Sequence, residues 1–300
     1  MNKSFKVIVP GTSANMGPGF DSMGLALNLY NIYKFENIES GIELSGFDEG
    51  YNNLDNILYK AMKLCFEKAN YKLSYGIKIS EIKRDIPVSR GLGSSSALIV
   101  AGIFAANRFM DDLFSLDDLL DLAVLIEGHP DNVAPAILGG IVIASVLDKK
   151  TYYQKVVSKN DYKYIAIVPR YELKTDMARS ILPKTVEYSD AIYNISRVGL
   201  LVSGLINGDD KAVNIAMNDR LHEPFRKKFI KGFDLIKEEA YNNKAIASFL
   251  SGAGPTIMIL AKSEDLLIKK MRDVLNKEKL TYDLLDLNLD MNGVLIEGGN

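Results

Sequence analysis

Apolar side chains recur along this chain with two different periods, and the points where one gives way to the other predict its elements. Residues 5–9 (FKVIV) predict a strand ending at Pro10, before a turn-rich stretch holding Gly11, Thr12, Ser13, Asn15, Gly17, Pro18 and Gly19. Residues 25–38, rich in Leu, Tyr, Ile and Phe, predict a second strand. Over 56–70 the period lengthens: Ile57, Ala61, Leu64 and Cys65 recur at helical spacing. Alternation returns at 75–82 (YGIKISEI), and Pro87 marks a connection over 85–90. An apolar helix opens at Gly91-Leu-Gly-Ser-Ser-Ser96 and runs to about Met110. Ser115 is placed to cap a further helix, Leu116–Glu127, with acidic residues in its first turn. Residues 129–135 read as a short polar loop and 139–145 as a buried strand. From about Tyr152 a second set begins: a strand at 164–168, helices at 190–207, 211–217 and 229–242, strands at 245–250 and 256–261, a helix at 264–275 and a final strand or two. Helices and strands mix without strict alternation, which predicts an α+β fold.

Composition narrows the function. A chain of 300 residues suits one large or two medium domains, and we divide it into 1–153 and 154–300. At 47% hydrophobic residues it can build its cores without disulfides, and a lone Cys65 suits a reducing compartment. The net charge is −2 with both signs interspersed, so no electrostatic footprint for nucleic acid or an anionic membrane is present. The opening residues carry no signal-peptide pattern. The most apolar stretch, 133–147, is broken by Pro135 and Gly139-Gly140 and is too short to span a bilayer. A cytoplasmic protein is expected.

Segments with chemical potential then stand out. Pro87-x3-Gly91-Leu92-Gly93-Ser94-Ser95-Ser96, running into a helix, offers close backbone approach, exposed amides and hydroxyls to a phosphate. It is not a Walker A loop, and a Gly-rich turn with a serine cap explains it equally. Residues 10–21 (PGTSANMGPGFD) either present Asn15 and Asp21 to a polar ligand or use them in Asx turns. Glu127-Gly-His129-Pro-Asp131-Asn132 supplies carboxylates, an imidazole and an amide for a magnesium or acceptor site, or forms a solvated loop with His129 as a helix C-cap. Ser251-Gly252-Ala253-Gly254-Pro255-Thr256 between two strands reads as a tight hairpin. Arg179, at i+4 from Thr175, and Arg226 in HEPFR are guanidinium groups able to grip a carboxylate, or are ordinary surface arginines.

These segments, in this order and over nearly the whole chain, resemble the GHMP kinase superfamily; PGTSANMGPGFD, EGHPDNVAPAILGG and HEPFR resemble its homoserine-phosphorylating branch. The resemblance implies an S5-like N-terminal domain and a ferredoxin-like C-terminal domain. It implies ATP over the GLGSSS loop, with Pro87, Gly91, Leu92, Gly93, Ser94 and Ser96 around its phosphates and Asn56 and Lys83 nearby. Ser95 and Glu127 match magnesium ligands, and Gly252 and Gly254 the third motif. Asn15, Asp21, His129, Asp131 and Asn132 match positions around homoserine; Thr175, Arg179 and Arg226 match positions near its carboxylate. Some members carry an insertion between the Glu-Gly pair and the histidine, whereas here Glu127 nearly adjoins His129.

The implied reaction is direct in-line phosphoryl transfer from ATP to the homoserine hydroxyl, a step of threonine biosynthesis, by a cytoplasmic homodimer. Asn15, Asp131 and Asn132 are the candidate catalytic residues. Related mevalonate kinases place an Asp where Asn132 stands, and Asn is no base. Either Asp131 or Asp21 assists, or the hydroxyl loses its proton late to a phosphate oxygen. The alternatives are a GHMP kinase for mevalonate, shikimate or a sugar, an ATP-binding sensor without turnover, and, against the charge balance, an S5-like RNA-binding module.

Overall fold

In the computed structural model, which describes residues 3–263 and 265–298, the strands form two sheets. The first holds β1 (Ser4–Ala14), β2 (Met23–Ile38), β3 (Ile42–Ser45), β4 (Gly76–Arg84), β5 (Ile141–Leu147) and β6 (Lys150–Val156). The second holds β7 (Lys163–Pro169), β8 (Ala247–Leu250), β9 (Ile257–Ala261) and β10 (Tyr282–Leu287) in the antiparallel order β10-β7-β9-β8. Helices cross over between β7 and β8 and between β9 and β10, which is the ferredoxin-like arrangement. The last strand, β11 (Leu295–Gly298), returns to pair with β1, so the first sheet draws on chain beyond residue 153 at both β6 and β11.

Four helices build the first unit's core: α1 (Ile57–Lys68), α2 (Ser94–Phe109), α3 (Leu116–Glu127) and α4 (Pro130–Leu138). Ile99, Val100 and Ile103 of α2 join the cluster formed by Val7, Leu25, Leu27 and Phe35 of the sheet. In the second unit, α5 (Thr175–Ser180), α6 (Tyr188–Asn207), α7 (Asp210–Ala216) and α8 (Glu223–Arg226) precede α9 (Phe233–Asn242) and α10 (Asp265–Lys277). Ile236 of α9 and Met271 of α10 close a second core over Ile165, Ile167, Ile257 and Ile259. The helix expected at 264–275 is α10; its first expected residue, Glu264, lies outside the described residues.

Several expectations are corrected. The first strand does not end at Pro10 but passes through a bulge between Pro10 and Gly11 and runs to Ala14. On that strand's other edge β11 reaches only Phe5 to Ile8, so Pro10's missing N–H breaks no ladder there. The expected loop at 129–135 is mostly helix: Pro130 takes the first helical position, where a missing N–H is harmless, and Val133, Ala134, Ala136 and Ile137 are buried along with both prolines and Asp131. Pro135 removes the donor that would cover the Asp131 carbonyl. That carbonyl closes on Gly24, where a Cβ would come within 1.7 Å of it. The second set begins after residue 156 rather than at Tyr152, because β6 pairs with β5. The short β3 carried too few residues for a periodic signal.

Candidate functional site

The two units meet around a cavity of about 340 Å³. One wall is the Gly-rich loop. Gly91 and Gly93 take positive φ of 78° and 76°, and both are pinned by neighbours: a Cβ on Gly91 would lie 2.4 Å from the Ser251 carbonyl oxygen, and one on Gly93 2.0 Å from Thr12 Oγ1. Gly93 caps α2 without any side-chain hydrogen bond, so the amides of its first turn face the cavity beside the side chains of Ser94, Ser95 and Ser96. The expected serine cap is thus absent. An uncapped start on a 16-residue helix suits an anion by its dipole and its orphan donors.

Glu127, at the end of α3, faces this helix start. Ser96 Oγ donates to its Oε1 at 2.8 Å, and Ser95 also reaches it. Burial pushes the Glu127 pKa up; the serine bonds and His129 only partly offset it. A half-buried carboxylate with hydroxyl neighbours is a hard oxygen donor set, which suits a small divalent cation.

The opposite wall carries charges of both signs. Arg179, on α5, grips Asp21 with two parallel bonds of 3.0 and 2.8 Å. Asp21 sits at φ 55°, held there because its N–H donates to Asn15 Oδ1 at 3.0 Å. Asn15 Nδ2 in turn donates to the Gly252 carbonyl at 2.9 Å, so Asn15 spends its amide on tying the loop to the cavity wall; its bond to the backbone six residues on is not an Asx turn. His129 does not cap α3, whose cap is the left-handed Gly128; its Nδ1 bonds Asp131, the buried second residue of α4. Burial lowers the His129 pKa, but Asp131, Asp21 and Glu127 outweigh it and the net shift is upward. Asn132 Oδ1 accepts from Thr12 Oγ1 at 2.9 Å. Thr175 opens α5 on the cavity.

Arg226 is fully buried yet also lines the cavity. Its Nε donates to the Ala178 carbonyl at 3.1 Å and its Nη1 to the Gly252 carbonyl at 3.1 Å. Burial, then the nearby charge of Arg179, lowers its pKa to about 10. A guanidinium desolvated without a carboxylate bonded to it suits an anionic ligand. The Ser251–Thr256 connection is the expected hairpin between β8 and β9, and through Gly252 and Ala253 it is also cavity wall.

Not every expected residue reaches the cavity. Lys83 is half exposed and paired with Asp85. Leu92 is buried, and its carbonyl accepts from Thr12 N. Gly254 turns toward Leu250, Ile230 and Leu173, and Pro87 only precedes the lining residue Val88. Asn56 lines the far end and caps α1 by accepting from Leu58 N. Around it stand residues that sequence reasoning missed: Asn31, Tyr33, Phe47, Tyr51, Glu81 and Arg84. They come from strand and turn positions whose pattern signals only pleat and core, so nothing local marked them.

With this geometry established, the relatives are informative. The profile described as GHMP kinases N terminal domain matches residues 56–140, and that described as GHMP kinases C terminal matches residues 201–277. The chain is similar to the homoserine kinase of Clostridium beijerinckii, 49% identical over 97% of this chain and 98% of that one. It is similar to a homoserine kinase of Clostridium botulinum, 47% identical over 98% and 99%. Among solved structures, that of homoserine kinase from Cytophaga hutchinsonii superimposes with a TM-score of 0.88 at 29% identity, covering 98% of this chain and 97% of that one.

Proposed function

The chain belongs to the homoserine kinases, a branch of the GHMP kinases, and from that premise we infer that it phosphorylates the side-chain hydroxyl of L-homoserine with ATP, a step of threonine biosynthesis. The observation that carries this reading is one cavity with an uncapped helix start on one wall and Asp21, Arg179 and Arg226 on the other. The first suits a nucleotide's phosphates. The second suits a zwitterion: Asp21 takes the ammonium, and Arg179 and Arg226 take the carboxylate. An entering amino acid brings one charge of each sign, so it replaces the Asp21–Arg179 pair with two pairs and leaves neither residue unpaired.

The acceptor hydroxyl is then held between the two walls, beside His129, Asp131 and Asn132. Transfer is in line, and positioning and fixed charge supply the rate, through the α2 amides and the Gly91–Ser96 loop. Ser95 and Glu127 are the residues suited to hold Mg2+, which would neutralise charge on the phosphates. No dedicated base is needed. Asp21 is taken by the substrate ammonium and Asp131 is bonded to His129, so neither carboxylate is left free for the acceptor hydroxyl. The hydroxyl proton therefore leaves late, to an oxygen of the transferring group. Asn132, locked by Thr12, orients rather than deprotonates.

The same reading takes the protein as cytoplasmic and dimeric. Cys65 is free and buried, and among the described residues no helix is long and apolar enough to cross a membrane. Exposed Tyr188, Ile192, Ile195 and Ile206 recur along one face of α6, which suits pairing with a second copy.

A coupled ADP-release assay with homoserine, threonine, serine, mevalonate and shikimate tests the function. Homoserine should give the highest kcat/KM. Preference for mevalonate or shikimate, or nucleotide binding with no turnover, would replace the reading with one of its rivals.

A further inference from the structure

Phe20 does not line the cavity, yet both arginines of the acceptor wall stand over its ring. Arg179 Cζ lies 5.6 Å from the ring centroid and Arg226 Cζ 5.2 Å. Next to Arg226, the ring of His222 stacks on it at 5.2 Å with an interplanar angle of 21°. His222 is itself fixed. Its Nε2 lies 3.0 Å from the Gly17 carbonyl, to which it donates, which leaves Nδ1 to accept from Arg226 Nη1 at 3.4 Å. Its backbone N–H and that of Glu223 are tied to buried Asp219. Burial and the charge of Arg226 lower the His222 pKa despite Asp219, in keeping with the neutral tautomer this bonding needs.

The arrangement addresses a physical problem. Two guanidinium groups that must close on one carboxylate repel each other when that carboxylate is absent, and Arg179 is among the charges that lower the Arg226 pKa. Only Arg179 has a carboxylate partner, Asp21; the hydrogen bonds of Arg226 run to neutral carbonyls and an imidazole. The face of an aromatic ring attracts cations through its quadrupole and takes up no charge that the ligand would need. A carboxylate in its place would compete with the substrate for both arginines.

We propose that Phe20, with His222 stacked on it beside Arg226, is a positioning residue for the acceptor's carboxylate: its ring holds Arg179 and Arg226 at the spacing a single carboxylate bridges. This rests on the reading of the cavity as a homoserine site. It makes Phe20 a determinant of specificity for α-amino acids over amino alcohols without touching the substrate.

The test compares homoserine with 3-aminopropan-1-ol, which keeps the ammonium and hydroxyl and lacks the carboxylate. Phe20→Leu keeps apolar volume and removes the ring; Phe20→Tyr keeps the ring. For each protein the KM for homoserine, the KM for ATP and the inhibition constant of 3-aminopropan-1-ol against homoserine are measured. F20L should raise the homoserine KM about tenfold. Its ATP KM and its constant for the amino alcohol should stay within about twofold, and F20Y should behave as wild type. Equal weakening of homoserine and the amino alcohol, an unchanged homoserine KM, loss of ATP binding in F20L, or F20Y behaving like F20L would each overturn the proposal, since the ring would then serve packing alone. Absence of wild-type turnover with homoserine would instead remove the functional reading itself, so the two failures are distinguishable.

Discussion

Burying Glu127 beside two serines disfavours its charged form, so the ligand-free protein gives up stability for a site. Its folded pKa is raised. As pH rises through the ordinary glutamate value, about 4.3, the unfolded chain ionises first and folding is penalised. The penalty is complete once the folded pKa is passed. Glu127→Gln should therefore raise Tm at pH 7 without ligands, leave it unchanged at pH 3.5, and lower kcat by about 100-fold or more; calorimetry and steady-state kinetics read the two effects. His129 runs in the opposite sense. Its folded pKa is raised by Asp131, so its contribution is fully present below about pH 6.5 and is lost as pH climbs through the folded value. The stability difference between wild type and His129→Gln, measured by denaturant titration, should shrink between pH 6 and pH 9. Arg226→Ala should raise the homoserine KM by about 10- to 150-fold, the worth of a charged hydrogen bond, with the ATP KM within about threefold. It should also destabilise the fold by about 1–3 kcal/mol, because the Ala178 carbonyl loses a donor while that of Gly252 keeps Asn15. Equal effects on both substrates would refute the carboxylate grip.

Among the elements, α2 joins fold to chemistry most directly: its apolar face packs into the first core while its uncapped start faces the cavity. Gly93→Ala should weaken ATP binding and cost about 1–3 kcal/mol, because φ is positive and the added Cβ meets Thr12, the residue that orients Asn132. Thermal unfolding with and without ATP separates the two effects. This loop was legible in the sequence because glycine and serine ahead of an apolar helix are tied to local backbone geometry. Other parts were not. The helix Pro130–Leu138 hid behind two prolines and a polar start, and its burial became evident only against the sheet. Strand β1 overran Pro10 because pairing with β2 outweighed the local turn signal. Arg179 and Arg226 stood out as residue types, but that they share a ring with Phe20 depends on α5 and α8 meeting the loop after β1. Tyr33 sits in the strand predicted at 25–38, Phe47 and Arg84 fall between predicted elements, and all three acquired a cavity only through tertiary packing.

At the scale of the whole molecule, the site exists only because the two units meet. Asp21, Glu127 and the Gly-rich loop come from the first; Arg179, Arg226 and Gly252 come from the second. The exposed apolar face of α6 lies in the second unit; the proposed pairing through it requires that Ile195→Glu shift the mass measured by sedimentation from dimer to monomer at micromolar concentration, and a monomeric wild type would remove that pairing. The central claim is that one cavity holds an anionic nucleotide tail and a dipolar acceptor on facing walls. A crystal structure of the protein with homoserine and a non-hydrolysable ATP analogue tests it most directly. The account predicts the triphosphate against the amides that begin α2, the substrate ammonium on Asp21, and its carboxylate bridging Arg179 and Arg226. A homoserine bound elsewhere, or bound with the Asp21–Arg179 pair intact and Arg226 untouched, would contradict it.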